Sequence, residues 1–206
     1  MPPHPPITLA ITGASGAPYA VRLLEQLTAG GRPVSLIVSS HGLRLLSTES
    51  GIETVAELRE RVGAAGWDAH VRTYANSDRG AAPASGSALS GGMVICPCSM
   101  GTVASIAAGT SRSLVERAAD VALKERRPLI LVPRETPLSL IHLENMLRVT
   151  HAGAVVMPAS PGFYHRPASI ADLVDFIVAR VLDHLRVPHD LVRRWDGGAQ
   201  HVDGDE

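Results

Sequence analysis

Small, hydroxyl-bearing and charged residues gather at several points where an apolar run gives way to a helical pattern. At Gly13-Ala14-Ser15-Gly16 such a run stops and a helix begins, and the free N–H groups of a helix start favour an anion. The motif is neither G-x-G-x-x-G nor a P-loop, because no Lys-Ser/Thr follows Gly16, and it fits a plain strand-to-helix turn equally well. Cys96-Pro97-Cys98-Ser99-Met100-Gly101-Thr102 repeats the arrangement, with Ser99 placed as a helix N-cap or a phosphate ligand. Ser39 closes a third apolar run and, unaided, reads as an N-cap. Two such turns on one sheet edge could hold the two ends of a mononucleotide.

Charge is concentrated elsewhere. Arg117 and Lys124 fall on one face of a helical pattern with Asp120 between them, a spacing that also describes a solvated charged face. Arg134-Glu135 follows a strand, putting a cation beside a carboxylate able to relay protons, with Pro137 suited to a first helical turn. Gly162-Phe163-Tyr164-His165-Arg166-Pro167 collects a phenol, an imidazole and a guanidinium in a chain poor in aromatics; it reads as a functional loop or an ordinary surface one. Arg180 lies on the last helix, half-buried or exposed.

These residues need elements to hold them. Residues 7–12, 34–38, 93–96, 129–132 and 154–157 are short apolar runs, as expected of strands buried on both faces. Helical patterns follow Gly16 through Tyr19, Leu23, Leu24 and Leu27, and recur at 41–49, 53–62, 100–108, 113–125, 138–150 and 169–185; 75–91 reads as loop. The last helix should bury Ile170, Leu173, Val174, Ile177 and Val181. The expected fold is α/β: a single Rossmann-like (flavodoxin-like) domain over 1–206, an open parallel sheet with helices on both faces, a core at about 7–187 and a tail at 188–206. The Pro-rich first six residues and the segment after Trp195 should be frayed or docked on a neighbour.

Composition removes whole classes of function. Hydrophobic residues are 45%, and Lys+Arg 19 against Asp+Glu 20 leave a net charge of -1, which disfavours disorder and a polybasic nucleic-acid surface. Aromatics at 3% give no stacking platform for single strands. No apolar run approaches the roughly 20 residues of a membrane span, and the start does not read as a signal peptide. Cys96 and Cys98, one proline apart, read as small core residues and suit a reducing cytosol. The nine histidines show no metal-ligand spacing, so no metal is expected.

Taken together, GASGAPYAVRLLEQL, CPCSMGTVASIAAG, RAADVALKERRPLILVPRETPL and FYHRP resemble the signatures of the flavin prenyltransferase family, the UbiX-type partners of UbiD-type decarboxylases, across residues 7–195. The resemblance implies that a dimethylallyl group, delivered as its monophosphate, is joined to N5 and C6 of reduced FMN, giving prenylated FMN for the decarboxylase. It implies FMN contacts from Gly13, Ala14, Ser15, Ser39, Ser99, Met100, Gly101, Thr102 and Arg117. Lys124, Arg134, Tyr164 and Arg180 match positions around the dimethylallyl phosphate; Glu135 matches the proton-transfer position, with Ser15 as relay and Glu49 as a further carboxylate. A homododecamer with sites shared between subunits is implied as well. A cysteine decarboxylase of the same fold is a rival, but its P-x-M-N-x-x-M-W motif is absent; a flavin carrier is another, but would need no leaving-group site.

Overall fold

The computed structural model describes residues 4–193. The expectations for the extreme start and for the segment after Trp195 lie outside them.

Among the described residues, six parallel strands form one sheet: β1 (Ile7–Ile11), β2 (Val34–Val38), β3 (Val71–Tyr74), β4 (Gly92–Cys98), β5 (Leu129–Pro133) and β6 (Val155–Val156), in the order β3-β2-β1-β4-β5-β6. Among the described residues, eight α-helices accompany them: α1 (Ala17–Ala29), α2 (Ser40–Ser50), α3 (Val55–Val62), α4 (Ala64–His70), α5 (Met100–Ala107), α6 (Leu114–Lys124), α7 (Leu140–His151) and α8 (Ile170–His184). The chain therefore builds outward from β1 in one direction, returns, and builds outward from β4 in the other. In such a sheet the crevice at the carboxyl ends of β1 and β4 is where ligands bind.

The apolar runs are strands because both faces are covered. Ile7, Leu9 and Ile11 of β1 join a cluster with Leu23, Leu24, Leu58, Ile177 and Val181, the side of α1, α3 and α8. Ala10, Met93, Ile95 and Leu131 point the other way, onto Val103, Ala118 and Val149 of α5, α6 and α7. The alternation along each strand divides the core into two layers.

Several expectations need correction. The CPC segment belongs to β4 rather than to a turn, and a register shift between Ile95 and Cys98 puts Cys96 in one core layer and Cys98 in the other. Ile170 is 78% exposed, because it opens α8 beyond the layer that Val174, Ile177 and Val181 bury. Pro137 precedes α7, whose N-cap is Ser139. β3 and α4 were not expected: β3 is an edge strand with Arg72 and Thr73 exposed, and α4 is a short helix that buries Trp67. Within the 75–91 loop, Ala82–Ala84 make a 3-10 turn.

Candidate functional site

Thr12 ties the crevice together. Its hydroxyl donates to the Pro97 carbonyl (3.0 Å) and accepts from the Ser99 N–H (2.9 Å), and its own N–H reaches the same Pro97 carbonyl (3.2 Å). The ends of β1 and β4 are thereby fixed to each other at the point where the strand order reverses.

Beside that knot lies a cleft of ≈ 260 Å³ lined by Thr12, Gly13, Ser39, His41, Asn76, Ser99, Thr102, Ser113, Val115 and Glu116. Three helices start at it. Ser39 caps α2 by accepting from Gly42 N–H (3.0 Å), Ser99 caps α5 by accepting from Thr102 N–H (3.2 Å), and Ser113 caps α6 by accepting from Glu116 N–H (3.3 Å). Each helix start carries partial positive charge, so the cleft suits an anion although neither lysine nor arginine lines it. Gly13 has to be glycine, because a Cβ there would meet the His41 Cβ at 2.5 Å. The donor set of hydroxyls and helix N–H groups fits the phosphate of a mononucleotide.

Asn76, His41 and Glu116 escaped the sequence reading. Asn76 follows the edge strand β3, and it holds α6 in place by accepting from Leu114 N–H with its carbonyl (2.8 Å) and from Val115 N–H with Oδ1 (3.1 Å). Its position after an unrecognised strand hid it. Burial works to raise the Glu116 carboxyl, but the Arg112 N–H and guanidinium and the Thr110 hydroxyl outweigh it and leave it below its usual range.

At the next turn the expected anion position is already filled. Both Gly16 N–H and Ala17 N–H, at the start of α1, donate to Glu49 Oε2 at 2.8 Å. Gly16 (φ 125°) offers no side-chain cap, and Glu49 from the end of α2 supplies the acceptor instead. Burial pushes the Glu49 carboxyl up, but the Gly16 N–H, the Ser15 hydroxyl, the Ala17 N–H and the Arg134 charge together hold it below the ordinary glutamate range. Ser15, Glu49 and Arg134 are thus one cluster, with an anionic carboxylate at its centre. A depressed folded pKa contributes stability above the ordinary glutamate value, lost as pH falls through the folded value. Glu49→Gln should therefore lower the urea midpoint at pH 7, and the gap from the wild type should close as the pH falls below about 4. A gap independent of pH would remove the charge from the account.

Arg134 and Glu135 line a smaller cavity of ≈ 140 Å³ with Pro133, Thr136, Leu138, Met146 and Ser160. Glu135 is exposed, and its Oε1 accepts from Thr136 N–H (3.1 Å). Tyr164 is exposed at the same sheet edge, edge-on to Phe176 (5.9 Å), on whose ring His165 stacks. Arg117, one turn into α6, pairs with Asp120 at 2.6 Å.

Two of the cations stand elsewhere. Lys124 ends α6, about 15 Å along the helix from the cleft, where it pairs with Glu125. Arg180 lies as far down α8, exposed and paired with Asp183 at 3.0 Å. One chain therefore gathers Gly13, Ala14, Ser15, Ser39, Ser99, Thr102, Glu49 and Arg134 at one edge of the sheet, while Lys124 and Arg180 sit toward the other. Met100 N–H and Gly101 N–H open α5 at the cleft, and the Met100 side chain is buried in the core.

Both cysteines are buried thiols; burial pushes Cys96 up to about 12 and Cys98 higher still. Neither can act as a thiolate at neutral pH. Among the described residues no group of three or more His, Cys, Asp or Glu side chains could hold a metal ion, and no helix is long and apolar enough to cross a membrane.

A family profile described as Flavoprotein matches residues 1–182. A flavin prenyltransferase UbiX from Pseudomonas aeruginosa is 51% identical over 207 residues, 97% of each chain. Of solved structures, AnUbiX (PadA1) in complex with FMN and dimethylallyl pyrophosphate superposes with a TM-score of 0.85 at 39% identity, over 95% of this chain and 99% of that one. A dodecameric FMN-dependent Ubix-like decarboxylase from Escherichia coli O157:H7 gives 0.85 and 39%, over 93% and 99%.

Proposed function

Because the chain belongs to the flavin prenyltransferase family of flavoproteins, we propose that it transfers a dimethylallyl group from dimethylallyl monophosphate to N5 and C6 of reduced FMN. The product is prenylated FMN for a UbiD-type decarboxylase, and the transfer uses no metal ion. The observation that carries this reading is the adjacency of two sites: a phosphate-suited cleft at the β1/β4 crevice, and the Ser15–Glu49–Arg134 cluster one turn away.

Reduced FMN, when bound, supplies the nucleophilic N5 and C6. Ser39, Ser99 and Thr102 hold its phosphate with the helix N–H groups of Met100 and Gly101; Gly13, Ala14 and Ser15 line its path, and Arg117 adds positive charge from α6. Arg134, Lys124, Tyr164 and Arg180 receive the phosphate that leaves the allylic carbon, since charge develops there as the C–O bond breaks. Glu49, held anionic, keeps the Ser15 hydroxyl oriented and stabilises developing positive charge nearby. Glu135 moves the proton.

Lys124 and Arg180 reach this site from a neighbouring copy in a homododecamer. The apolar side chains of α7 support such assembly: Leu140 and Ile141 are about 70% exposed, at 70% and 67%, and Leu143 and Leu147 lie on the same helix.

The test is anaerobic incubation of the protein with reduced FMN and dimethylallyl monophosphate, then mass spectrometry of the released flavin. A gain of one C5H8 unit is expected; unmodified FMN from protein shown to bind it would sink the proposal. Within the same assay, Arg180→Ala should raise the half-saturating dimethylallyl monophosphate concentration by about tenfold or more while FMN affinity changes less than about threefold. Equal losses for both ligands would count against the division.

A further inference from the structure

The far end of α8 carries an arrangement that the fold alone does not require. Asp183 lies in the last turn of the helix, where a carboxylate opposes the helix dipole. The chain then reverses: Arg186 adopts φ 56°, its N–H donates to the Asp183 carbonyl (3.0 Å), and Val187 N–H donates to the Leu182 carbonyl (2.9 Å). This Schellman turn is anchored by burial of Leu185 and Val187. It returns the following segment against the helix it has just left.

The reversal brings His189 onto Asp183. The imidazole is 2% exposed, with Nε2 at 3.2 Å from Asp183 Oδ1. Leu191 N–H points at His189 Nδ1 from 3.4 Å, which makes Nδ1 the acceptor and leaves the proton on Nε2, donating to the carboxylate. The other oxygen, Asp183 Oδ2, accepts from Arg180 Nη1 at 3.0 Å. A buried ring thus fixes a carboxylate, and the carboxylate fixes an exposed guanidinium through one of its N–H groups.

We propose that Asp183 and His189 are positioning residues for Arg180: they present its guanidinium in a single orientation to the phosphate of the prenyl donor. The proposal rests on the reading of Arg180 as a phosphate ligand. A long exposed arginine would otherwise lose rotamer freedom on binding, and bracing it beforehand removes that cost from the binding step. The effect falls on capture of the donor phosphate, whereas FMN binding and the fold are left alone.

The experiment compares Arg180→Ala, Asp183→Asn, His189→Gln and the double variant Arg180→Ala/Asp183→Asn as assembled, FMN-binding proteins. Anaerobic rates are measured with reduced FMN and varied dimethylallyl monophosphate. Asp183→Asn should raise KM about 5- to 20-fold with kcat and FMN affinity within about twofold; His189→Gln, whose amide can still donate to Asp183, should stay within about threefold; the double variant should match Arg180→Ala. If Asp183→Asn does not assemble, His189→Met fills the ring's space without a donor and should raise KM in its place. Wild-type KM in Asp183→Asn, or a loss that multiplies fully with that of Arg180→Ala, overturns the brace and leaves the Arg180 reading standing. Wild-type KM in Arg180→Ala overturns both.

Discussion

Glu135→Gln should bind FMN as the wild type does and transfer the prenyl group at least about 100-fold more slowly in a single turnover. The amide keeps the volume and can still accept from Thr136 N–H, the bond that Glu135 Oε1 makes at 3.1 Å; what it cannot do is take up or release a proton. Because Glu135 is exposed and lies in a cavity separate from the phosphate-suited cleft, the substitution touches neither the helix starts at that cleft nor the core. Rapid mixing of the reduced FMN complex with dimethylallyl monophosphate, followed by quenching and mass spectrometry, reads the step directly. A single-turnover rate within threefold of wild type would remove Glu135 from the chemistry and shift attention to the Ser15–Glu49 pair. That pair is less suited to proton donation, since the Gly16 and Ala17 N–H groups keep Glu49 charged.

Legibility of the fold followed burial. β1, β2, β4 and β5 are buried along nearly their whole length, so their sequences are continuous apolar runs, and each was expected within a few residues. β3 carries Arg72 and Thr73 on an open edge, and although Val, Thr and Tyr suit a strand, VRTY is four residues long and only half-buried at its ends, so it makes no continuous apolar run. α4 is a single short helix whose Gly66 interrupts its pattern, so only Trp67 marks it as packed.

The site was legible where it is local. Ser39 and Ser99 announce themselves as caps by preceding helical runs, and the structure adds that both helices start at one cleft. Glu49 could not be placed from spacing, because its partners Gly16 and Ala17 are 33 and 32 residues away in the chain. Arg117 and Lys124 share a helix face, yet two turns of α6, about 10 Å, lie between them, and Lys124 ends the helix away from the cleft. Spacing along a helix identifies a common face but not a common site.

Thr12→Val should show how much the crevice depends on one hydroxyl. Valine matches threonine in shape, so packing in this buried position is preserved, and the loss is confined to hydrogen bonds. The Ser99 N–H then faces a methyl group, and the Pro97 carbonyl keeps only the Thr12-position N–H. The Ser99 N–H is part-buried, so leaving it without an acceptor costs up to about 3 kcal/mol, and the lost Pro97 bond adds about 1 kcal/mol. For a chain of this size each kcal/mol lowers Tm by about 2–4 °C, giving a fall of roughly 5–15 °C. Function should suffer separately, because Ser99 is the N-cap through which α5 meets the cleft: once β4 is free to shift against β1, Ser39 and Ser99 no longer hold one spacing for a phosphate, and FMN affinity should drop about tenfold. Thr12→Ser retains the hydroxyl and should recover most of both losses. Thermal melts and FMN titration of the two variants separate the contributions; a Thr12→Val protein that melts with Thr12→Ser and binds FMN equally well would show that strand pairing alone, without this hydroxyl, sets the geometry of the crevice.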